Sequence, residues 1–473
     1  MSSVEMEEKL AAPRPIITVE EHVARGARAR AEVPPESLGP YTPAADRPDP
    51  VAMLEGQSAD RIPELIPVRY GRMLVSPFTF YRGAALLMAS DLSTQVRTPL
   101  QAQLCGDAHL SNFGGFASPE RNLIFDINDF DETNPGPFEW DIKRLVTSME
   151  VAGQDHGLTK KERTAILDQT IQGYREAIQA FASRGNLEVW YSMFDVDSIA
   201  RAAQEQLDKK TRKKGTKDLD KARTRTSMQA ADKLTRVVNG RRQFIDNPPV
   251  IERAETLASR SDKDLTAEVE AMPGAWQQYV DSLLPDRRHL LSEYTYVDLA
   301  RKVVGVGSVG TGAWVLLLQG RDPSDLLVLQ IKQAMQSVLE PYTEASQYEQ
   351  HGERVVQGQR LLQTASDIFL GWGRLLEFNY YTRQLRDWKV SVDVDTLDAK
   401  GLGMYGRLCG ATLAKGHARS GDRYALADYV GAPGAFDDAM KTFARAYADQ
   451  NAADYAALKA AADAGKIPVT YGV

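Results

Sequence analysis

Two short polar segments combine the side chains that could bind a divalent metal ion and position a hydroxyl group. Asp107 and Asn112 lie five positions apart in the loop GDAHLSN, and Asp129 follows 17 residues after Asn112, within FDINDFDE. Mg²⁺ takes oxygen ligands from carboxylates and amide carbonyls while it keeps waters and phosphate oxygens. Asn112 and Asp129 are therefore predicted metal ligands, and Asp107 is predicted to orient a substrate hydroxyl and accept its proton.

Both segments also have a purely structural interpretation. Asp and Asn side chains often form hydrogen bonds within turns, and NDFDETNPG could be an acidic turn without a ligand. We favour a functional site because two strand-borne segments carry these residues at this spacing. The role of His109 in the first loop stays open between a contact with metal or phosphate and a brace for the loop backbone.

A glycine-rich segment further along the chain predicts a phosphate-binding turn. Gly305, Gly307, Gly310 and Gly312 form the pattern G-x-G-x-x-G-x-G, which occurs in dinucleotide-binding folds and in kinases. A dinucleotide-binding fold requires a helix after the glycines, whereas AWVLLLQ reads as a strand that ends in the turn GRDPSD. The glycines and Ser308 are therefore predicted at the tip of an antiparallel hairpin, where bare backbone can approach a polyphosphate.

Lys332 lies on the next predicted strand, LQIKQA, between apolar neighbours. A buried ammonium group is costly unless it is paired, which suits a lysine that grips phosphate and is held by a helix carboxylate. Glu349 and Glu353 lie four residues apart on the helix predicted to follow, and either could hold the lysine. The alternative is an edge-strand lysine that reaches solvent.

The predicted elements divide the chain into four segments. Residues 1–64 are rich in Pro, Ala, Arg and Glu and are predicted to form an extended arm. Residues 65–290 are predicted to form a mostly helical lobe that carries the catalytic and metal-binding loops. Residues 291–390 are predicted to form a small antiparallel sheet with one helix, and residues 391–473 return to helix and complete the helical lobe. The predicted fold class is α+β with two lobes.

The composition excludes several classes of protein. The 473 residues leave room for about two or three domains, and 43% hydrophobic residues with a net charge of −7 are typical of a globular protein. The two cysteines, Cys105 and Cys409, are too few for a disulfide framework or a cysteine-rich zinc site. No stretch reaches the ~18 apolar residues of a membrane span. We expect a cytoplasmic protein with no membrane partner.

One segment, residues 209–243, is strongly basic. It could bind an anionic substrate or nucleic acid, and Arg223 and Arg225 within it could face a cleft. It lacks the interleaved aromatic residues of a single-strand binding platform, so a solvated helical face is favoured and no nucleic-acid partner is expected.

Several motifs resemble those of known phosphotransferases. GDAHLSN is similar to the catalytic loop H-G-D-x-H-x-x-N of aminoglycoside and choline phosphotransferases, and INDFD is similar to their metal-binding I-D-[FW]-[DE]. Over about residues 65–450, the chain also resembles a bacterial family of uncharacterised proteins that carry FYRG, GDAHLSNFG, FDINDFDE, GVGSVGTG and RVVQGQRLLQ.

The resemblance implies an ATP- and Mg²⁺-dependent enzyme with a bilobal, protein-kinase-like fold. It assigns Asp107 as the catalytic aspartate, Asn112 and Asp129 as the metal ligands, and Lys332 as the nucleotide-phosphate lysine, with Gly305 to Gly312 as the phosphate cover.

Two features depart from the pattern of the phosphotransferases. Cys105 occupies the position of the loop histidine, and the catalytic loop precedes the glycine loop by about 200 residues instead of following it. A circular permutation would explain the order if the helix GRLCGATLAKGHARSGD, with His417 near its end, packs just before the catalytic loop in space. Tyr81 and Arg82 of FYRG stay open between substrate binding and packing.

The predicted activity is phosphoryl transfer from ATP to a hydroxyl group of an unidentified small molecule or protein. A nucleotidyl transferase that uses the same groups and a nucleotide-binding regulatory pseudokinase are the two alternatives. The acceptor and the oligomeric state follow from no motif in the chain.

Overall fold

The computed structural model describes residues 17–204, 227–260, 266–303, 305–385, 388 and 392–473, and it shows a mixed α+β fold with antiparallel sheets, as the sequence predicts. Arg223, Arg225 and most of the basic segment 209–243 lie outside the described residues.

Helices and strands occur in blocks along the chain. The α-helices are α1 (Val19–Glu32), α2 (Pro50–Ser58), α3 (Ile66–Met73), α4 (Pro77–Gly83), α5 (Ala85–Ser93), α6 (Glu139–Asp155), α7 (Lys160–Ala182), α8 (Asn186–Tyr191), α9 (Val196–Gln204), α10 (Ser227–Leu234), α11 (Ala254–Arg260), α12 (Thr266–Asp281), α13 (Pro285–Ser292), α14 (His351–Leu362), α15 (Ala399–Ser420), α16 (Arg423–Val430) and α17 (Ala435–Asp463). The β-strands are β1 (Gln101–Leu104), β2 (Phe113–Ala117), β3 (Leu123–Ile127), β4 (Asn134–Pro137), β5 (Phe194–Asp195), β6 (Thr235–Val238), β7 (Arg241–Phe244), β8 (Ile251–Arg253), β9 (Thr295–Lys302), β10 (Ala313–Gln319), β11 (Leu326–Ala334), β12 (Gly371–Leu375) and β13 (Phe378–Gln384). Short 3₁₀ helices lie at Pro35–Leu38, Pro63–Leu65, Leu110–Asn112 and Val394–Thr396.

The helical region is centred on the close packing of α7 against α15. A Cβ atom on Gly410 would lie 2.2 Å from Thr170 O, and one on Gly173 would lie 2.1 Å from Arg407 O. A glycine on each helix therefore permits this approach. Helices α6, α16 and α17 pack against the pair, and the same apolar core continues beneath β1, β2 and β3. This core supports the loops that follow β1 and β3.

The second region is a six-stranded antiparallel sheet in the order β12-β13-β11-β10-β9-β8. Alternate residues of β10 face opposite sides, so that Val315 and Leu317 pack in one buried cluster with Phe244 while Leu316 packs in another with Tyr279. Since both faces of the sheet are covered, the strand carries the continuous apolar run AWVLLLQ. Helix α14 packs against β11, β12 and β13.

The sheet region begins earlier in the chain than the predicted boundary at residue 290. Strand β8 pairs with β9 through Ile251 and Lys302, and α12 packs against β12. The described residues between 227 and 292 thus pack with the sheet. The prediction from sequence assigns them to the helical lobe because of their helical periodicity. The boundary differs because periodicity reports the type of an element and not the region that it packs against.

The prediction of an extended arm over residues 1–64 is wrong for the described part of that segment. Helix α1 begins at a capping box formed by Thr18 and Glu21, and it packs against α16. The guanidinium of Arg47 lies 2.6 Å from Asp91 and 2.7 Å from Asp454. These ion pairs, together with the buried side chains of Leu38 and Leu54, attach the segment to the body.

Within the described residues, every helix is too short or too polar to cross a membrane. Cys105 and Cys409 are both buried and free.

Candidate functional site

The strand that carries Lys332 and the loop that carries Asp129 and Asp131 meet where the helical region faces the sheet. Lys332 Nζ on β11 lies 3.7 Å from Asp129 Oδ2 and 2.7 Å from Asp131 Oδ2, in the loop that follows β3. About 200 residues separate these partners along the chain. The lysine and the predicted metal-binding loop therefore share one site.

The prediction that Glu349 or Glu353 holds Lys332 is wrong. Helix α14 begins at His351, so Glu349 precedes it and is exposed, and neither glutamate forms an ion pair with the lysine. The carboxylate comes instead from Asp131, which also accepts a hydrogen bond from Tyr381 Oη at 2.5 Å.

Helix α14 contributes a cation to the site rather than an anion. Arg354 is buried and donates to Thr133 O at 2.6 Å and to Asp131 O at 2.9 Å. These bonds fix the loop backbone that presents Asp131. Burial would raise the pKa of Asp131, but the ammonium of Lys332 and the hydroxyl of Tyr381 hold it below its ordinary value.

Asp107 lies in the loop after β1 and is paired with a residue that has no sequence motif. Arg144 of α6 donates to Asp107 Oδ1 from Nε at 2.9 Å and approaches it with Nη2 at 2.8 Å. The same guanidinium stacks 3.8 Å from the ring centroid of Tyr81, whose hydroxyl donates to Arg144 O. Burial raises the pKa of Asp107, and Arg144 partly offsets this effect. Tyr81 therefore has a packing role.

The structure shows His109 bracing the loop. Its Nδ1 accepts a hydrogen bond from Ser111 N at 3.2 Å, which assigns the ring proton to Nε2, 3.6 Å from Asp107 Oδ2. Burial lowers the pKa of His109 well below its ordinary value, so the ring is neutral.

Asp141 of α6 supports the same loop from beneath and was not predicted. It accepts hydrogen bonds from Cys105 N at 2.8 Å and from Gly106 N at 3.1 Å, and His417 Nε2 lies 3.4 Å from it. Gly106 has φ +85°, and a Cβ there would lie 2.2 Å from Glu132 O, so the tight turn requires glycine. The sequence feature that points to Asp141 is its position between two apolar residues, in WDI, near the start of a helix.

The two predicted metal ligands are held by backbone contacts between their loops. Asn112 donates its Nδ2 to Asp107 O at 2.8 Å, which leaves its carbonyl Oδ1 as the ligand atom. Asn128 N donates to Asn112 O at 2.8 Å, so the loop that carries Asp129 is tied to the loop that carries Asn112.

These residues fit a hard cation such as Mg²⁺. Burial and the neighbouring charge of Asp131 raise the pKa of Asp129, so the position would gain from a positive charge. In the part of the chain that the structure describes, three or more His, Cys, Asp or Glu side chains nowhere form a metal-binding group. A metal at Asn112 and Asp129 would therefore keep water or phosphate oxygens in its remaining positions, as Mg²⁺ does.

The glycine segment forms the predicted hairpin tip between β9 and β10, and Gly305 and Gly310 have φ +67° and +87°. Its anchors were not predicted. Arg61 Nη1 donates to Val309 O and Arg72 Nη1 donates to Gly305 O, each at 2.5 Å. The N-terminal segment therefore holds the loop against the body.

Two crevices open on either side of this site. The first, of about 760 Å³, lies between the sheet and the loop after β2, and its lining includes Lys332, Gln330, Arg383, Phe369 and Leu385. The second, of about 770 Å³, lies between the glycine loop and the N-terminal helices, and its lining includes Asp107, His109, Glu132, Met335 and Phe378.

Five residues line both crevices and so mark their junction: Arg82, Asn112, Asp129, Gly305 and Ser308. Lys332 lines the first crevice and not the second, and Asp107 lines the second and not the first. The predicted metal ligands thus stand between the predicted phosphate-binding lysine and the predicted catalytic aspartate.

Residues 61–461 match a family described as uncharacterised proteins conserved in bacteria (DUF2252), and the chain belongs to this family. The predicted membership in an uncharacterised bacterial family is thereby confirmed. Neither a curated protein nor a solved structure matches the chain. The resemblance to aminoglycoside and choline phosphotransferases stays a prediction.

Proposed function

We propose that this member of the uncharacterised bacterial family is an ATP- and Mg²⁺-dependent phosphotransferase that acts on a hydroxyl group of a small molecule or protein. The observation that carries the proposal is the division of residues between the two crevices. The cation suited to the donor phosphates lies on one side, the carboxylate suited to the acceptor lies on the other, and the oxygen ligands lie at the junction. Phosphoryl transfer requires this sequence of groups along the line of attack.

The order of the glycine loop and Lys332 along the strands supports the proposal, and the loop lines both crevices, with Gly305 and Ser308 at their junction and Gly307 in the second. In protein kinases the glycine-rich loop covers the phosphates, and the lysine lies on the third strand. Here the glycine loop joins β9 to β10, and Lys332 lies on the next strand, β11. The pairing of Lys332 with Asp131 instead of a helix glutamate is a departure from that pattern.

The acceptor side offers Asp107 as the group that orients the attacking hydroxyl. Arg144 is bound to Oδ1, so Oδ2 is the oxygen that would accept the hydroxyl proton. Asn112 and Asp129 would hold the metal, which when bound would neutralise charge on the transferred phosphoryl group. The protein's contribution would be positioning and preorganised charge.

The chain order is consistent with a circular permutation of a kinase-like fold. Helix α15 ends beside the strand that leads into the catalytic loop, since Gln103 N donates to Ser420 Oγ at 3.2 Å. In the usual order that helix would continue directly into the loop. The C-terminal residues also return to the N-terminal part of the body, where Thr470 N donates to Pro67 O at 2.9 Å. Such proximity makes the rewiring sterically simple.

The experiment follows the fate of two labels in ATP. The protein is incubated with Mg²⁺, ATP labelled at the γ- or the α-phosphorus, and a bacterial extract, used whole and deproteinised, as a source of protein and small-molecule acceptors; reactions without the protein give the background. We expect transfer of the γ-label and a loss of at least about 10³-fold in Asp107→Asn, with nucleotide affinity nearly unchanged. Asp322→Asn, at a half-buried turn residue that lines neither crevice, is the matched control and should retain transfer.

The other outcomes each identify a different function. Transfer of the α-label would indicate a nucleotidyl transferase. Binding of ATP without transfer of either label would indicate a regulatory pseudokinase. Absence of nucleotide binding in the wild-type protein would refute the proposal.

A further inference from the structure

Arg82 is a cation at the junction of the two crevices that no motif assigns. It lies near the end of α4 and lines both crevices. Its Nε is buried without a hydrogen-bond partner, and among the described residues its guanidinium forms no ion pair. The other four residues of the junction are the two predicted metal ligands and two residues of the glycine loop.

The carboxylates near Arg82 are engaged by other cations and do not pair with it. Asp107 Oδ1 is engaged by Arg144, and Asp129 lies beside Lys332. Burial lowers the pKa of Arg82, and the charges of Asp107, Asp395 and Asp129 offset this effect only in part. A buried donor on a cation is expensive to leave unpaired, which favours an anionic ligand.

The backbone of Arg82 is held in a fixed place relative to the glycine loop. Helix α4 begins at a capping box in which Ser76 Oγ accepts from Thr79 N, and Tyr81 anchors it in the core. A Cβ atom on Gly307 would lie 3.2 Å from Arg82 O, so the loop packs directly on the end of the helix. Arg82 also lines both crevices together with Gly305 and Ser308 of the loop, so a phosphate at the junction would lie beside it.

We propose that Arg82 binds the γ-phosphoryl group of ATP and stays bound to it during transfer. In this step, which rests on the proposed function, the acceptor oxygen forms a bond to the γ-phosphorus while the bond from that phosphorus to the bridging oxygen breaks. The acceptor proton goes to Asp107, and ADP leaves with the electron pair. Arg82 supplies hydrogen bonds to the equatorial oxygens, the role of an arginine finger carried within the same chain.

The test compares nucleotides that differ by the γ-phosphate. Calorimetry with Mg²⁺ measures the affinities for ADP and for the non-hydrolysable analogue AMP-PNP in the wild-type protein, in Arg82→Gln and in Arg82→Lys. We expect Arg82→Gln to weaken AMP-PNP binding by about tenfold or more and to leave ADP binding unchanged. Arg82→Lys should recover part of the loss because it keeps the charge without the planar fork. γ-Label transfer should fall by at least about 10³-fold in Arg82→Gln.

Two control variants separate this role from support of the glycine loop. Arg72→Gln removes the contact with Gly305 O and should weaken ADP and AMP-PNP binding by the same factor. Arg97→Gln removes a contact with Tyr342 O between two residues that line neither crevice, and it should change neither affinity. Thermal melting checks that each variant is folded.

Two results would overturn the assignment, and they are distinguishable. If the wild-type protein binds AMP-PNP and Arg82→Gln keeps the same ratio of AMP-PNP to ADP affinity, the role of Arg82 is refuted and the proposed function stands. If the wild-type protein binds neither nucleotide, the proposed function fails and the assignment fails with it.

Discussion

Two lysine–aspartate pairs lie at opposite ends of the short segment 126–131, and they differ in their exposure to solvent. Lys415 of α15 pairs with Asp126, and both side chains are about 1% exposed. Lys332 pairs with Asp131 at the crevice, where the Asp131 side chain is 28% exposed and Asp129 lies nearby. The first pair is sealed in the core, and the second is open to a ligand.

The electrostatic balance also differs between the pairs. Burial lowers the pKa of Lys415, and its single carboxylate does not restore it. Burial acts in the same direction on Lys332, but Asp129 and Asp131 together hold its pKa above the ordinary value. The two carboxylates beside Lys332 keep it charged, which is the state that the proposed contact with phosphate requires. The two pairs are therefore distinguished by the balance of charge and by solvent access, and not by burial of the lysine alone.

The largest expected effect is on the sealed pair. Lys415→Met should lower the free energy of unfolding by about 3–5 kcal/mol, because it leaves Asp126 buried and unpaired. Urea unfolding measures the change. The double variant Lys415→Met with Asp126→Asn should recover much of it, and Lys441→Ala, which breaks a more exposed pair with Asp168, should cost less than about 1 kcal/mol. Equal losses in Lys415→Met and Lys441→Ala would show that the sealed pair is no more structural than a surface pair.

At the open pair the expected effect is on ligand binding. Lys332→Met should lower ATP affinity by about 10- to 100-fold, since it removes a charge-assisted contact to phosphate, and should change stability by less than about 2 kcal/mol. Calorimetry and urea unfolding on the same preparation measure both quantities. Lys459→Met, on the surface of α17, is the matched control. Unchanged ATP affinity in folded Lys332→Met would remove its assigned role.

Glu132 follows the three aspartates of this segment and has no cation in direct contact among the described residues. Burial raises its pKa to about 7, although Val338 N donates to its carboxylate at 2.8 Å. The folded state therefore binds a proton more readily than the unfolded state, so stability should fall as pH rises from about 5 to about 7. Glu132→Gln should remove this dependence, an effect of at most about 3 kcal/mol, since a pKa difference of one unit corresponds to about 1.4 kcal/mol. Urea unfolding at a series of pH values checks it, and an unchanged slope in the variant would assign the dependence to another group.

The short-range pattern of apolar and turn residues was sufficient to predict most strands of the sheet and the position of the glycines in a hairpin. The hairpin tip at Gly305 to Gly312 and the strand of Lys332 follow from apolar runs and turn residues close together in the chain. The N-terminal helices were missed because charges on distant elements hold them, as Asp91 and Asp454 hold Arg47. The partner of Lys332 was misassigned because the helix that follows it presents Arg354 to the site, while the carboxylate comes from Asp131.

What the amino-acid order specifies here is which side chains are available: a carboxylate and an amide in one loop, two carboxylates in another, bare backbone and a lysine in a hairpin. Which of them meet was decided by the packing of the sheet region on the helical region. That packing pairs Lys332 with Asp131, sets Arg144 on Asp107, and leaves the buried Nε of Arg82 without a hydrogen-bond partner among the described residues. The reason is physical, since the strength of a charge contact depends on distance and burial, and neither can be read from separation along the chain.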